Sequence, residues 1–337
     1  MAKTNTSPTQ LADGIYVGLP EAVYHNDMSL GSTDIRNLLK GPNEFWRHSK
    51  FNPKRKPWKT DATILGSAVH KFLLEGREAM DEIYVRGPHN GDDDLTPGEK
   101  SALTKAAKAK LMEDQELLTA DDYDFVLELA SVFDRDPDLH GALEGGLSEV
   151  SVFWTRRGIR MKCRFDKLKL GGFGDLKTIA NQMGDEIVGA CYADIHRRLY
   201  DVQMEHYLEG RSHLPDLVSK GAIFIDQTHH SKLPVEPAKQ TVDFFQTVAA
   251  RKTFAAQIIF IPKPPNAADA FSTVFSPQNE RMTSARGLIE HALNIYDQSM
   301  ERWPVDKGLP WLPARKVTEC PTEELPSYPR RIFTFED

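Results

Sequence analysis

Two aspartates and a lysine stand close together in the stretch CRFDKLKLGGFGDLKTI, Cys163 to Ile179. Asp166 and Asp175 flank a glycine-bearing turn, and Lys177 follows Asp175 by two residues. Residues two apart on an extended strand point to one face, so Asp175 and Lys177 share a side while Leu176 points away, into a core. The patch offers two carboxylates and one ammonium. Mg2+ prefers hard oxygen ligands: one or two carboxylates, waters and phosphate oxygens. A metal held there can lower the pKa of a water and stabilise charge on a phosphoryl oxygen. A neighbouring lysine can position or deprotonate that water, or neutralise developing charge. The competing reading is a hairpin whose charges pair with each other at the surface, because solvated strand faces often carry charge. The pattern alone leaves both open.

The segments around the patch must position it. SEVSVFW, Ser148 to Trp154, sets Val150, Val152 and Trp154 against Glu149, Ser151 and Phe153 and reads as a strand. After a TRRG turn, GIRMKCRFDKLKL is a second strand, GGFG turns the chain, and DLKTI is a third. This predicts a three-stranded antiparallel meander with Asp166 and Asp175 on neighbouring strands. Upstream, STDIRNLLK has helical spacing, with Ser32 or Thr33 as N-cap and Gly41-Pro42 as a stop. Residues 47–59 read as a basic loop. DATILGSAVHKFLLEG is a further helix, with Ile64, Leu65, Ala68, Val69, Phe72 and Leu73 in one stripe. EIYVRG reads as a strand and 97–144 as a polar helical region. Further on, helices are expected over 189–209, 234–256 and 279–301, and strands at GAIFID, QIIFIPK and FSTVF. Residues 1–28 read as a flexible lead-in, 29–302 as a single domain, and 303–337 as an extended proline-rich tail. Together these elements predict an α/β (α+β) fold with a central mixed sheet flanked by helices.

A chain of 337 residues can bury a sizeable core. It contains no apolar run long enough to span a membrane. MAKTNTSPTQLADG lacks the apolar stretch of a secretory signal, and a cytoplasmic setting is expected. Cys163, Cys191 and Cys320 lie far apart without a CxxC pair, which predicts neither a disulfide framework nor a zinc or iron–sulfur site. The net charge of −7 argues mildly against a nucleic-acid partner. Its distribution argues the other way. RHSKFNPKRKPWK, Arg47 to Lys59, interleaves Phe51 and Trp58 with basic residues and contains no acid, and a second basic set, Arg156 to Lys169, surrounds Asp166.

The strings LGSAVHKFLLEG, SEVSVFW, RFDKLKLGGFGDLKT and YDVQMEHY, in that order, resemble the PD-(D/E)XK nuclease superfamily. Within it they resemble the RecE-type (exodeoxyribonuclease VIII-like), RecB-like branch. The resemblance covers about residues 28 to 210. That family carries GxxxH on a helix, an acid before the first core strand, an Asp, then Asp/Glu-x-Lys, then QxxxY on the following helix. The counterparts here are Gly66 and His70, Glu149, Asp166, Asp175-Leu176-Lys177, and Gln203 with Tyr207. The first aspartate lies in FDKL, without the proline of the family's name.

The resemblance implies a restriction-endonuclease-like core and a role for each residue. Asp166 and Asp175 would bind Mg2+, or Mn2+ in its place, with the backbone carbonyl of Leu176 as a further ligand. His70 would be a ligand or close neighbour of the metal. Lys177 would orient or activate the attacking water, and Glu149 would assist the metal directly or through water. Gln203 and Tyr207, four residues apart on one helix face, would buttress the site or touch DNA. Tyr200 shares that face and reads as packing. The implied activity is a phage or prophage recombination exonuclease that degrades linear duplex DNA 5′-to-3′ and leaves a 3′ overhang. The implied partners are duplex DNA ends, a single-strand annealing recombination protein, and further copies of the chain in a ring. Two other readings compete: a structure-specific or restriction-like endonuclease on the same core, and an inactive nuclease fold that only binds DNA.

Lys54, Arg55, Lys56, Trp58 and Lys59, together with Arg164, Gln203 and Tyr207, are the candidate DNA-facing residues. Phosphate contacts supply most non-specific affinity, and aromatic rings stack on unpaired bases. Plainer alternatives stand beside these assignments. His70 could pack on its helix, Glu149 could be an exposed strand residue, Gln203 and Tyr207 could be ordinary helix residues, and 47–59 could be a solvated loop. His229-His230 reads as loop rather than ligands. The final stretch, PTEELPSYPRRIFTFED, is a partner peptide or a disordered tail.

Overall fold

The computed structural model describes residues 10–55, 61–90, 94–180, 186–225, 239–264 and 267–313. Its strands are β1 (Gly14–Val17), β2 (Tyr84–Arg86), β3 (Glu116–Leu118), β4 (Leu147–Arg156), β5 (Ile159–Lys169), β6 (Gly172–Ile179), β7 (Ile223–Ile225), β8 (Ala255–Pro262) and β9 (Phe271–Phe275). Seven of them form one sheet in the order β7-β1-β4-β5-β6-β8-β9, and β2 and β3 pair separately. β1 with β7 and β6 with β8 run parallel, while the other neighbours in the large sheet run antiparallel. The sheet is therefore mixed, and the meander sits at its centre as β4-β5-β6.

The helices are α1 (Glu21–Asn26), α2 (Ser32–Lys40), α3 (Pro42–His48), α4 (Asp61–Glu75), α5 (Arg77–Ile83), α6 (Pro97–Lys108), α7 (Ala120–Arg135), α8 (Pro137–Leu143), α9 (Ile187–Arg198), α10 (Tyr200–Ser212), α11 (Leu214–Ser219), α12 (Lys239–Ala250) and α13 (Glu280–Arg302). They cover both faces of the sheet. On one face, Ile35 and Leu38 of α2, Met204 and Leu208 of α10, Phe245 of α12 and Ile289 and Leu293 of α13 pack with Val152, Trp154, Phe165, Ile258 and Phe260. On the other, Leu65 and Val69 of α4, Val126, Leu129 and Phe133 of α7 and Leu139 of α8 pack with Leu176, Ile259 and Ile261. β8 is apolar on both sides because both sides are covered. Each such side chain contributes about 1.5–3 kcal/mol when fully buried. Among the described residues, no helix is long and apolar enough to cross a membrane.

One backbone detail fixes β6 beside β8. Gly172 has φ +158, and a Cβ there would lie 2.0 Å from the Ala255 carbonyl oxygen. Only glycine lets the two strands meet where β6 begins.

Several boundaries differ from those expected. Residues 10–28 are not a flexible lead-in: β1 inserts between β4 and β7, and α1 follows it. Alternate cations of β5 hold this segment. Arg160 bonds Asp13 and the Leu11 carbonyl, and Lys162 Nζ donates to the Tyr24 and Asp27 carbonyls at 2.7 and 2.9 Å. Arg164 Nη2 donates to the Leu19 carbonyl at 2.6 Å. The two-residue spacing places all three on one face, so part of the basic set around Asp166 serves the fold.

Gly41 (φ +141) separates α2 from α3 rather than ending helix, because Pro42 suits the first turn of the next one. The polar region 97–144 divides into α6, β3, α7 and α8. Thr96 and Glu99 cap α6 reciprocally, and Thr119 caps α7. The helix expected over 189–209 breaks at Leu199, which adopts the left-handed conformation with φ 54 between α9 and α10. The tail does not become free at residue 303. Trp311 is 1% exposed and packs on Phe45, Trp46 and Tyr296, with its indole N–H donating to the Trp303 carbonyl at 2.9 Å. The final stretch lies outside the described residues.

Candidate active site

β5 and β6 pair only beside their turn, Lys167–Lys169 with Gly172–Gly174. Beyond that they part, although β5 stays paired with β4 and β6 stays paired with β8 along its whole length. A cleft therefore opens in the middle of the sheet, and Asp166 and Asp175 are the first residues past the last pair. Parting strands leave backbone groups that need new partners. Asp166 Oδ2 supplies one by accepting a 2.7 Å hydrogen bond from the Leu176 N–H.

Asp175 and Lys177 face α10, and the hairpin is no surface ion pair. Asp175 is 1% exposed. Gln203, also buried, donates from Nε2 to Asp175 Oδ1 at 2.9 Å. Lys177 Nζ lies against Asp175 Oδ2 as an ion pair and donates to the Leu176 carbonyl at 3.3 Å. Asp175 Oδ2 accepts no hydrogen bond of proper geometry.

α4 closes the site from the other face. A Cβ at Gly66 would stand 3.2 Å from Thr178 Oγ1, so glycine lets α4 press against β6. The Gly66 carbonyl accepts a 2.8 Å bond from His70 Nδ1. With that proton fixed on Nδ1, Nε2 points into the cleft, 3.2 Å from Asp166 Oδ2. The GxxxH spacing thus does two things: it allows close approach and it orients the imidazole.

Glu149 faces Asp166 across β4 and β5, bracketed by the pairs Ser148–Lys167 and Val150–Phe165. Its φ of 55 is left-handed in the middle of a strand. For a non-glycine residue this strain costs about 1–3 kcal/mol, and such strain clusters at functional sites. Arg164 Nη1 lies 3.5 Å from the Glu149 carboxylate.

The charges respond to one another. Burial, with the Asp166 charge adding, pushes Asp175 up to about 6 against the pull of Lys177. Burial and then Asp166 push Glu149 up to about 7, with Arg164 opposing. Burial works downward on His70, but the Asp166 charge and hydrogen bond and the Gly66 carbonyl outweigh it, raising His70 to about 9. Burial works upward on Asp166, yet His70 and Lys177 hold it below its ordinary value. Lys177 is raised: burial opposes its charge, and Asp175 and Asp166 together prevail.

Among the described residues, no three His, Cys, Asp or Glu side chains converge as a ready ligand set. The two aspartates instead turn to His70 and Lys177. The donor chemistry still fits a hard divalent cation. Two carboxylates and the Leu176 carbonyl supply oxygens, Asp175 Oδ2 is buried against the Lys177 ammonium, and two acids, Glu149 and Asp175, are pushed upward by burial and by the Asp166 charge. Added positive charge relieves that burden.

The other expected residues divide. Tyr207 is buried against Phe165 and Phe173, a packing position rather than a DNA-facing one. Arg164 is also directed inward. Its side chain is 10% exposed, donates to Ser151 Oγ and the Leu19 carbonyl, and lies over the Tyr24 ring. Lys54 and Arg55 are exposed. Lys56, Trp58, Lys59, His229 and His230 lie outside the described residues. Cys163 and Cys191 are buried free thiols.

From the sequence, Tyr200 shares the Gln203–Tyr207 face and reads as packing. It does pack, but Lys177 Nζ also stands over its ring, 5.4 Å from the centroid. The signal was its position three residues before Gln203, on the same helix face. A cavity of about 370 Å³ lies elsewhere, lined by Met28, Leu30, Phe51, Tyr296 and Met300 among others, and includes none of the acids described above.

A family model described as "PDDEXK-like domain of unknown function (DUF3799)" matches residues 32–223. Among solved structures, the chain is similar to a "Putative exonuclease" from Eubacterium rectale, with 13% sequence identity and a TM-score of 0.46, over 84% of this chain and 88% of that one. No curated protein matches the sequence.

Proposed function

The chain belongs to the family of PDDEXK-like domains, and from that premise we propose that it is a divalent-metal-dependent DNA exonuclease. It degrades linear duplex DNA 5′-to-3′ and leaves a 3′ overhang for recombination. The observation that carries the reading is the meeting of Asp166, Asp175, Lys177, His70 and Gln203 where β5 and β6 part.

Mg2+ or Mn2+, held by Asp166, Asp175 and the Leu176 carbonyl with His70 beside it, would supply Lewis acidity and a lowered water pKa. The chain's own groups do the rest. Gln203 and the Gly66–His70 bond fix the acids and the imidazole before substrate arrives. Lys177 orients the attacking water and offsets charge developing on the phosphoryl group. Glu149 stands behind Asp166 and adds negative potential. Exposed Lys54 and Arg55 contribute sequence-independent phosphate contacts. A single-strand annealing protein, assembly into a ring around DNA, and action in the cytoplasm of a phage-bearing host complete the proposal.

Time-resolved digestion of 5′- and 3′-end-labelled linear duplex and of closed circular duplex, with and without Mg2+, tests it. The 5′ label leaves first, the circle survives, and chelation stops the reaction. Cutting of the circle would favour the endonuclease. Salt-sensitive DNA binding with no cleavage in Mg2+ or Mn2+ would favour a binding module. Sedimentation with and without DNA tests the ring.

A further inference from the structure

Lysine is an awkward residue to position, because its four-carbon stem has many rotamers and its ammonium is a point charge without a planar fork. Among the described residues, Lys177 Nζ is held by the Asp175 carboxylate, the Leu176 carbonyl and the Tyr200 ring. The first two are also the groups best placed to ligate a cation. A carboxylate that serves a divalent ion has less negative charge to give an ammonium. Among the described residues, the ring face is the hold on Lys177 that no metal competes for, and its quadrupole attracts the ammonium whichever way Asp175 turns.

Tyr200 is itself well fixed. It opens α10 directly after the left-handed Leu199, is 7% exposed, and rests near Phe260 of β8 with ring centroids 6.3 Å apart. A second cation, Arg36 of α2, has its guanidinium carbon 5.9 Å from the same ring centroid. Arg36 is held by the Arg198 carbonyl and Thr33 Oγ1, each at 3.1 Å. Those bonds tie α2 to the break between α9 and α10 and so brace the ring. A residue that only filled space beside Phe260 would not need a cation over it.

We infer that Tyr200 is a positioning residue whose ring face holds Lys177 in place for catalysis, independently of Asp175. The inference rests on the nuclease reading for its kinetic consequence, but the contact itself can be measured without turnover.

The test compares Tyr200→Phe and Tyr200→Leu. Losing a cation–ring contact of ordinary strength lowers kcat about tenfold in Tyr200→Leu, with KM for linear duplex held within about twofold. Tyr200→Phe keeps the ring and keeps the rate. In protein labelled with 13C at lysine Cε, and with Ca2+ present, the Lys177 Hε resonances, assigned by their loss in Lys177→Arg, lie upfield through the ring current. That shift disappears in Tyr200→Leu and persists in Tyr200→Phe. If leucine unfolds the chain, Tyr200→Met takes its place. Wild-type kcat in Tyr200→Leu, an equal fall in Tyr200→Phe, or a wild-type Lys177 shift without the ring would each overturn the inference. An inactive wild type would sink the nuclease reading instead, and the lysine shift alone would then decide whether the ring holds Lys177.

Discussion

Gln203 Nε2 crosses from α10 to Asp175 Oδ1 in a 2.9 Å hydrogen bond. The bond occupies one carboxylate oxygen and leaves the other directed at Lys177. Gln203 therefore sets the rotation of the acid and does not compete for the oxygen that a cation would need. Outer partners of ligating groups typically contribute 10–100-fold to metal affinity or activity. Gln203→Ala is expected to lose about that much, with a higher Mg2+ concentration needed for half-maximal rate and little change in the far-UV spectrum. An unchanged Mg2+ dependence would mean that Asp175 is oriented by something else.

Lys177 and Asp175 are separable by different measurements. Lys177→Ala removes the group proposed to orient water, and metal-dependent degradation of linear duplex is expected to vanish while the fold persists. Full activity in that variant would end the assignment. Asp175→Asn keeps the shape and the Gln203 bond's neighbourhood but removes the charge. Calorimetry with Mg2+ is expected to show weakened binding, and unchanged affinity would remove Asp175 from the ligands.

The raised groups give the metal-free chain a pH signature. Asp175 moves from 3.8 to about 6, Glu149 from 4.5 to about 7, and His70 from 6.5 to about 9. In each case the folded state binds more protons than the unfolded chain within that window. The associated stability is fully present below the lower value and is lost as pH rises through the higher one. Asp166 has the opposite sign: its folded value is lowered, so its contribution is present above 3.8 and is lost only in acid. The melting temperature of metal-free protein is expected to fall from pH 5 to pH 7, above which buried Lys162, lowered to about 6, opposes the His70 contribution. Asp175→Asn with Glu149→Gln flattens the part below pH 7. Mg2+ stabilises the folded chain by mass action, and more at pH 8 than at pH 5, where protons compete for the same oxygens. A rise of equal size at both pH values would contradict the assignment of these acids.

The core of the site was legible because it is local. One turn and the two-residue period of strands bring Asp166, Asp175 and Lys177 together. His70 was a different matter. It lies 96 positions from Asp166, and nothing in its own helix predicts the distance; only the order of motifs did. The two glycine-dependent approaches, Gly66 on Thr178 and Gly172 on Ala255, depend on which strands become neighbours. Arg160, Lys162 and Arg164 misled because most of their partners are backbone carbonyls, which leave no mark in a sequence. Leu199 was equally silent. Leucine does not favour the left-handed conformation, so tertiary packing must impose the break that places Tyr200 beside Lys177.

Arg164 supplies the last prediction, because two readings of it give opposite results. As a DNA contact, Arg164→Ala would weaken binding and lower the salt dependence of affinity by about one phosphate's worth of counterions. The structure instead commits its guanidinium to Ser151 Oγ, the Leu19 carbonyl and the Tyr24 ring, with Glu149 3.5 Å away. Removing it leaves buried acceptors without a donor, each worth about 1–3 kcal/mol, and takes a cation from beside Glu149. Arg164→Ala is therefore expected to lower the melting temperature and loosen residues 10–28, seen as faster amide exchange, while the slope of log affinity against log salt stays as in the wild type. Lys54→Ala with Arg55→Ala should do the reverse: both side chains are exposed, so stability holds and the slope falls. If instead Arg164→Ala alone flattens the salt dependence in a stably folded protein, its side chain must leave the Leu19 carbonyl when DNA binds, and the N-terminal segment must move with it.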